Sequence, residues 1–423
     1  MLKLVQMELE KKMFDKLSDY FEGATAKYLS AVDADLKKSN QHEIGGLVKA
    51  GFSQYLGKPS NGDKFHFNSK IIYLQDEDQD PVSSEVTMSW YDTRYQDKNR
   101  APEYRLYYQT NPACSMMKEG DFFLIIRMKD NSLLIIITPA GTSIEQQLCM
   151  LFNIQMKNKG FSEISITDKS ISLPVRMLLE DIGIVIEPPE SKSEQFLQEL
   201  LNIFPDGFPK VKEFSELARS RTPGDPLSAP DETLMSWLEQ EEMIFRAYER
   251  HIVAKKLKEG FGEHGDDVDE FISFSLSVQN RRKSRVGHAF ENHLNEIFTL
   301  HSISFQQGTS KLTTENKAKP DFIFPSFSSY HDPSFPAENL RLLGAKTTCK
   351  DRWRQVLAEG DRVVKKHLIT IQPGISTHQL DEMNSKQLQL VVPGPVQSTY
   401  PQLFRPGLQS LDDFIKEIKS CQL

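Results

Sequence analysis

Three residues in the C-terminal half of the chain carry the side chains that phosphodiester cleavage requires. Asp321 opens a predicted strand, Lys346 ends another strand 25 residues later, and Glu359 follows after 13 more residues. Carboxylate oxygens are hard ligands that suit a divalent cation, and an ammonium group can offset the negative charge of a transition state. Together these side chains could supply a metal-dependent phosphodiesterase site.

The same three residues also have a purely structural interpretation. Pro-Asp pairs are common in turns, and a lysine after a strand is usually solvated. Glu359 could pair with Arg362 or Arg352 on the surface of a helix. Spacing alone does not decide between these interpretations.

Hydrophobic patterning predicts the elements that must position the site. Short buried strands are predicted at residues 319–325, 339–348, 366–372 and 388–393. Helices are predicted at residues 231–260, 286–300 and 352–366. Asp231 should cap the first helix and Gly260 should end it. Strands mixed with helices in this order indicate an α/β domain with a mixed sheet.

The first half of the chain is predicted to be rich in β-structure. Residues 121–139 predict a hairpin around the turn KDNS, and residues 89–109 predict two strands joined by a basic loop. The segment RSRTPGDPLSAPD contains three prolines and has the composition of an interdomain linker. We therefore predict an N-terminal domain over residues 1–218, a linker over 219–231 and a C-terminal catalytic domain over 232–423.

Composition is that of a globular protein. The chain has 423 residues, of which 39% are hydrophobic and 26% charged. No apolar run approaches the roughly 18 residues that a bilayer crossing needs, and we find no secretion signal, so we expect a cytoplasmic protein without a membrane partner. The net charge is −8, yet residues 281–366 contain 15 Lys and Arg against 9 Asp and Glu. That segment could bind phosphate groups or could be an ordinary solvated surface.

The pair Pro320-Asp321 and Lys346, at two strand ends, resembles the core of the PD-(D/E)xK nucleases. In that core an acid stands two positions before the lysine, but this chain has Gly344 there, which cannot bind a metal. Glu359 could replace the missing acid from the predicted helix beside the strands.

Three segments of the C-terminal half resemble the catalytic domain of the EcoRII-type type II restriction endonucleases. They are SVQNRRKSRVG (277–287), KPDFIFP through EGDRV (319–363) and LVVP (390–393). That family uses a PD…K…E version of the nuclease site, with the acid moved onto the helix. The resemblance implies Mg²⁺ as cofactor with Asp321 and Glu359 as metal ligands, Lys346 as the catalytic lysine and Glu291 as a further acid, although an exposed helical glutamate is the simpler interpretation of Glu291.

The family signature CKxRxxQ stands at residues 349–355 and implies a segment that reads DNA. Lys and Arg donate to guanine and Asp accepts from cytosine, so Lys350, Asp351 and Arg352 can read C·G pairs. The resemblance also implies DNA contacts by Gln355, Arg282 and Arg285. The implied target is a CCWGG-like site in double-stranded DNA, or CCNGG in a relative that ignores the central base, and a palindromic site implies a homodimer.

The first half resembles, at a lower level, the N-terminal effector domain of the same family, a DNA-binding pseudobarrel. The segments SNQHEIGG (39–46) and DKNRAPEYR (97–105) correspond to the DNA contacts of that domain. The resemblance implies that a second, effector copy of DNA binds here and relieves inhibition of the catalytic dimer. Its contacts, each of which could instead be an ordinary surface residue, would be His42, Lys98, Arg100, Glu103 and Arg105.

Three functions of different classes remain open at this point. The first, which we expect, is a Mg²⁺-dependent, site-specific DNA endonuclease. The second is a catalytically inactive, sequence-specific DNA-binding regulator, which Gly344 in place of an acid would suit. The third is a less specific repair or recombination nuclease, which fits the metal site but not the base-reading residues.

Overall fold

The computed structural model describes most of the chain and divides it into two compact units. The described residues are 16–34, 42–75, 81–97, 99–154, 156, 162–164, 171–181, 184, 190–205, 207–349 and 352–422. The first unit is Met1–Val185 with Gly374–Gln379, and the second is Ile186–Pro373 with Leu380–Leu423. The segment 219–231 lies within the second unit. Its residues 222–229 join a helix that ends at Arg221 to one that begins at Pro230.

The first unit is built on an eight-stranded sheet, so the β-rich prediction for the N-terminal half is confirmed. Its strands are β1 Phe21–Tyr28, β2 Glu43–Ile44, β3 Lys64–Tyr73, β4 Val82–Asp92, β5 Tyr104–Tyr107, β6 Phe122–Met128, β7 Leu133–Thr138 and β8 Ser162–Ile164. They lie in the order β2-β5-β4-β3-β7-β6-β1-β8, with β3 and β7 as the parallel pair. The predicted hairpin is β6 and β7, and the predicted strand-loop-strand is β4 and β5.

Alternation along these strands sends one set of side chains into a continuous core. Ile71 and Tyr73 of β3 and Met88 and Trp90 of β4 belong to it. The Trp90 ring stacks on Tyr104 of β5 with ring centroids 5.5 Å apart. The helices of this unit are α1 Leu17–Tyr20, α2 Ala31–Ala34, α3 Ser53–Leu56, α4 Ser143–Leu151 and α5 Leu173–Asp181.

The second unit carries a four-stranded mixed sheet flanked by helices, as the sequence predicts. Its strands are β9 Phe322–Phe324, β10 Arg341–Lys346, β11 Lys366–Thr370 and β12 Leu388–Val391. They lie in the order β12-β11-β10-β9, and only the β9–β10 pair is antiparallel among these described strands. The helices from residue 190 onward are α6 Glu190–Ile203, α7 Val211–Arg221, α8 Pro230–Glu259, α9 Val268–Leu300, α10 Phe327–His331, α11 Trp353–Leu357, α12 Thr377–Ser385, α13 Gly394–Gln397 and α14 Leu411–Gln422.

Aromatic rings fix α9 against the sheet. The Phe298 ring of α9 meets Phe322 and Phe324 of β9 edge-on, with centroids 5.4 Å away in both cases. Phe414 of α14 contacts Phe324 at 5.6 Å. This packing holds α9 beside the strands that carry the candidate site. Among the described residues, no helix combines the length and apolarity needed to cross a bilayer.

The predicted helix at 352–366 is wrong in its length. The helix α11 covers only Trp353–Leu357. Its last turn tightens because the N–H groups of Ala358 and Glu359 bond back to the carbonyls of Gln355 and Val356. Gly360 then takes a left-handed φ of 65°, which ends the helical path. Glu359 therefore stands in the turn after α11 and not on the helix.

The predicted cap of α8 by Asp231 is also wrong. The helix already begins at Pro230, and its N-cap residue is Ala229. The buried carboxylate of Asp231 instead accepts hydrogen bonds from the N–H groups of Gly394, Leu411 and Asp412. It therefore satisfies unpaired N–H groups at the start of α13 and at the start of α14, a role that only the folded chain reveals.

Candidate active site

The strand ends of the second unit bring Asp321 and Lys346 into direct contact. Asp321 precedes β9 and Lys346 ends β10, and the antiparallel register places Phe322 opposite Leu343. The Lys346 ammonium donates to Asp321 Oδ2 at 2.6 Å, and the Ala345 N–H donates to the same oxygen at 2.7 Å. Two residues that are far apart in sequence thus form one acid–lysine pair at the edge of the sheet.

Two glutamate carboxyls lie within electrostatic range of this pair. Burial and, next, the negative charge of Asp321 raise the pKa of Glu291 to about 7 and the pKa of Glu359 to about 7. The Lys346 ammonium opposes this shift in both pKa values. Neither glutamate carboxyl accepts a hydrogen bond from any described residue. The four residues that the sequence singled out therefore share one environment.

The backbone after Glu359 is braced by side chains from the preceding segment. The N–H of Asp361 donates to the Glu315 carboxylate at 3.2 Å. The Tyr330 hydroxyl donates to the two oxygens of Glu315, at 2.5 and 2.6 Å. These contacts fix the turn that presents Glu359 to the site.

Arg362 completes this brace and is not a partner of Glu359. Its guanidinium donates to backbone carbonyls at residues 329, 330, 332 and 335. Among the contacts of the described residues, Glu359 forms no ion pair with Arg362 or Arg352. The interpretation of Glu359 as one half of a helix-surface ion pair is therefore not supported.

Close packing explains why position 344 lacks an acid. A Cβ at Gly344 would lie 2.5 Å from Cγ2 of Val356, in the middle of α11. The glycine is required by this close approach of helix and strand. Because a carboxylate side chain at position 344 would displace the helix that leads to Glu359, a strand acid and the present position of Glu359 exclude each other.

Lys366 is a basic residue near the site that the sequence analysis missed. It begins β11, is 9% exposed, and its ammonium donates to the carbonyl of Leu357 at 2.5 Å, at the end of α11. Burial lowers the pKa of Lys366, whereas the carboxylates of Asp361 and Glu359 raise it. A lysine at the start of a strand is too common a pattern to have been singled out.

The carboxyl set suits a hard divalent cation. Among the described residues, no three His, Cys, Asp or Glu side chains form a preformed metal cage. However, the Glu291 and Glu359 carboxyls have raised pKa values and lie close enough to Asp321 to feel its charge. Among the described residues, none donates a hydrogen bond to either carboxyl. A cation between such oxygens would remove the repulsion that contributes to both shifts in pKa. The donor chemistry therefore fits Mg²⁺ held by Asp321 and Glu359.

The predicted base-reading segment is described only in part. Lys350 and Asp351 lie outside the described residues. Arg352 and Gln355 are exposed at the start of α11, whereas Trp353 between them is fully buried. The helix thus presents two of the predicted DNA contacts to solvent, and their role stays a prediction.

The two arginines of α9 that were predicted to bind DNA are ion-paired with α8. Arg285 is 3% exposed and pairs with Glu241 and Glu242. Direct DNA contact by Arg285 is not supported, because its guanidinium is buried and already ion-paired within the unit. Arg282 donates to Glu249 at 2.6 Å but remains partly exposed, so its DNA contact stays a prediction.

The two predicted effector segments of the first unit come together in the sheet. Strand β2 pairs with β5, and the N–H of Tyr108 donates to the carbonyl of His42. The His42 ring meets the Tyr108 ring edge-on at 5.5 Å. Arg105 of β5 packs over Gly45, where a Cβ would lie 2.8 Å from its Nη1. His42 and Arg105 thus lie at opposite ends of the short β2–β5 pairing.

The charged loop before β5 is internally paired. Glu103 accepts hydrogen bonds from Arg105, which hold the pKa of Glu103 below its usual value, and it also pairs with Arg94. Arg100 is exposed and lies 3.4 Å from Asp97. Lys98 lies outside the described residues. Arg100 is therefore a solvent-facing cation of this loop.

The mixed sheet, its flanking helices and the acid–lysine pair define the second unit as an α/β domain of the restriction-endonuclease-like class. Residues 245–415 match the family model described as EcoRII C terminal. The resemblance to EcoRII-type type II restriction endonucleases is therefore confirmed for this part of the chain.

Individual relatives are restriction enzymes. Over 211 residues the chain is 43% identical to the type II restriction enzyme EcoRII of Escherichia coli, a stretch that covers 50% of each protein. The match thus spans about half the length of that curated relative. Metal-depleted Ecl18kI in complex with uncleaved, modified DNA is 17% identical with a TM-score of 0.42, covering 54% of this chain and 84% of that one. A complex of the restriction endonuclease PspGI with substrate DNA is 15% identical with a TM-score of 0.39, covering 57% and 94%.

Proposed function

We propose that this protein is a type II restriction endonuclease that hydrolyses phosphodiester bonds of double-stranded DNA at a CCWGG-like site. The observation that carries the proposal is the contact between Asp321 and Lys346, with Glu291 and Glu359 within range of the Asp321 charge. It is supported by the match of the surrounding domain to the EcoRII C-terminal family and by the 43% identity to a type II restriction enzyme.

Each side chain of the site has a role that follows from its chemistry. Mg²⁺ held by Asp321 and Glu359 would polarise the scissile phosphate and lower the pKa of a bound water. Lys346 places an ammonium where negative charge develops, and its contact with Asp321 keeps the ammonium oriented. Glu291, whose pKa is about 7, changes protonation near neutral pH and suits an auxiliary proton acceptor.

Recognition and regulation belong to the same proposal. A palindromic target is read by a homodimer in which each copy reads one half-site. The DNA contacts of each copy are Lys350, Asp351, Arg352, Gln355 and Arg282. Effector DNA binds the N-terminal half at His42, Lys98, Arg100, Glu103 and Arg105 and relieves inhibition of the catalytic dimer. The N-terminal domain comprises residues 1–218, joined through 219–231 to the catalytic domain, and the protein works in the cytoplasm.

A digest of a sequenced plasmid tests the activity directly. With Mg²⁺ we expect discrete fragments whose mapped ends give the site and decide between CCWGG and CCNGG. Lys346→Ala should cut at least about a hundredfold more slowly because the transition-state charge loses its counter-ion. The exposed Lys311 provides a control, since Lys311→Ala should cut at the wild-type rate.

The other outcomes identify the competing functions. Discrete fragments at the wild-type rate from Lys346→Ala would refute the site. Smeared digestion would identify a less specific nuclease. A metal-independent gel shift without cleavage under any divalent ion would identify a DNA-binding regulator. The packing of Gly344 against Val356 has removed the main argument for that regulator, because the glycine has a structural cause.

A further inference from the structure

The position of the Glu291 carboxyl depends on the helix that carries it. No described residue donates a hydrogen bond to this carboxyl, so its place in the site is set by α9. Phe298 stands seven residues beyond Glu291, nearly two turns, and both side chains therefore leave α9 on the same face. Phe298 packs on β9, so this face lies toward the sheet that carries the acid–lysine pair. A rotation of α9 about its own axis would turn Glu291 away from that sheet.

The opposite face of α9 is held by α7 and α8 through His293. This residue follows Glu291 by two positions, which is about 200° around the helix axis, and it is fully buried. Arg219 of α7 donates to His293 Nδ1 at 3.4 Å, and His293 Nε2 lies 3.0 Å from Glu241 Oε2 of α8. Because Nδ1 accepts from a guanidinium, the neutral ring carries its proton on Nε2, toward the carboxylate. Burial lowers the pKa of His293, which favours this neutral form.

Two more contacts join α7 to the same stretch of α9. The Asn292 amide donates to Ser215 Oγ at 3.1 Å, and Ser215 is fully buried. Nη2 of Arg219 also lies 3.7 Å from Oε2 of Glu296, nearly one turn beyond His293. The two α7 side chains thus hold α9 on both sides of His293, which opposes rotation of the helix.

Glu241 holds α9 at a second level of the helix. Its Oε1 lies 3.4 Å from Nη1 of Arg285, eight residues and about two turns before His293. Both Glu241 and Arg285 are almost completely buried, so the loss of either partner would leave a buried charge unpaired. A buried carboxylate that faces two groups on one helix opposes both sliding and rotation of that helix. We refer to Ser215, Arg219 and Glu241 as the α9 clamp.

We infer that the α9 clamp positions Glu291, and that Arg219 is the positioning residue by which α7 takes part in DNA cleavage. The sheet contacts one face of α9 and the clamp contacts the opposite face, so the helix cannot rotate without breaking buried polar contacts. Arg219 is also the first residue of the segment whose composition predicts a linker. The inference rests on the proposed function, in which Glu291 is an acid of the active site.

Steady-state cleavage of a duplex that carries the mapped site tests the inference. Arg219→Met nearly keeps the length of the side chain but removes its hydrogen bond to His293. It should lower kcat by about tenfold, because a small misplacement of a reacting group slows the chemical step. KM should change by less than about twofold, since Arg219 is not among the proposed DNA contacts. Arg219→Lys keeps a donor and a charge and should recover part of the rate.

Arg221 supplies a matched control on the same helix. It pairs with Glu199 of α6, and both side chains are partly exposed. Arg221→Met makes the same chemical change two residues beyond Arg219 and should leave kcat and KM unchanged.

A double-mutant cycle with Glu291 separates positioning from a general loss of structure. Glu291→Gln should itself lower kcat by about a hundredfold, because its carboxyl no longer accepts a proton. In that background Arg219→Met should change kcat by less than about twofold, since the group that Arg219 positions is gone. The same tenfold loss in both backgrounds would overturn the inference, and so would a wild-type kcat in Arg219→Met.

Hydrogen exchange of the metal-free protein tests the α9 clamp without cleavage. Arg219→Met should speed exchange of the α9 amides at residues 291–296 by about tenfold, whereas Arg221→Met should not. Ser215→Ala serves if Arg219→Met misfolds, because it removes only the acceptor of Asn292. It should speed the same amides and lower kcat by about threefold. A wild-type protein that cuts no DNA refutes the proposed function. Unchanged exchange in both clamp variants then overturns the inference, and faster exchange leaves the α9 clamp standing.

Discussion

Gly344 shows how the packing of a single residue can decide where an acidic side chain is placed. Val356 occupies the space of a side chain at position 344, so that α11 approaches β10 closely and the turn after it delivers Glu359. The sequence shows that position 344 lacks an acid but does not show why. Val356 is 12 residues away, and its side chain contacts Gly344 only in the folded domain.

A first prediction concerns Gly344 itself. Gly344→Ala should reduce the free energy of unfolding by about 1–3 kcal/mol through overpacking, and Gly344→Asp should cost more because it also buries a charge. Chemical denaturation measures both. Gly287 offers a control, since a Cβ there meets nothing within 4 Å and Gly287→Ala should be neutral or slightly stabilising. Equal stability of Gly344→Ala and wild type would contradict the described contact.

A second prediction concerns the pH dependence of stability. The pKa of Glu291 and that of Glu359 rise in the folded protein from 4.5 to about 7, first through burial. The native state then binds these protons more tightly than the unfolded chain does, so the metal-free protein loses stability as the pH rises between these two values.

Glutamine at either position should remove that loss. Glu291→Gln or Glu359→Gln should stabilise the metal-free protein at pH 8 by about 1–2 kcal/mol. The effect should be much smaller at pH 4.5, where the carboxyl is protonated in the folded protein and half protonated in the unfolded chain. Unfolding by denaturant at the two pH values measures the difference. A variant that is destabilised equally at both pH values would show that burial does not raise the pKa of that carboxyl.

At the scale of elements, the four strands and α8 of the second unit follow from their apolar patterns. The helix α9, however, begins at Val268, 18 residues before the predicted start at residue 286, and the end of α11 was not predicted either. Residues 358–366 are compatible with a helix in isolation. The fold instead needs a turn there, because Gly360 is left-handed and Glu315 binds the N–H of Asp361. The burial of Arg285 was equally hidden, since its partners Glu241 and Glu242 lie on another helix.

A third prediction concerns the junction of α11 and β11. Lys366 joins the two by donating to the carbonyl of Leu357, and its charge lies near Glu359. Lys366→Met should lower the cleavage rate by about tenfold, because the turn that carries Glu359 loses a charge-assisted hydrogen bond. Lys366→Arg should recover part of the rate. The neighbouring Lys365 is exposed, so Lys365→Met is the matched control and should cut normally. Equal rates for the two methionine variants would show that Lys366 has no part in positioning Glu359.

At the scale of the whole molecule, charge is divided unevenly along the chain. Residues 281–366 carry a net charge of +6 although the whole chain has −8. This segment contains the acid–lysine pair and the exposed start of α11. A basic segment in an acidic protein favours phosphate binding at one place over general adhesion to polyanions. The charge count could be read from the sequence, whereas the ion pairs that bury Arg285 of this segment could be seen only in the fold.

A fourth prediction follows from the two-part organisation of the molecule. If effector DNA binds the first unit, short duplexes that carry the target site should accelerate cleavage of a plasmid with a single site, because binding favours the active arrangement. Arg100→Glu should reduce the ratio of rates with and without duplex by about tenfold, since it reverses an exposed charge on the loop before β5. The exposed Lys118, elsewhere in the same unit, provides the control, and Lys118→Glu should keep the wild-type ratio. A ratio near one in the wild type would contradict effector activation, and equal ratios in all three proteins would remove Arg100 from the effector surface.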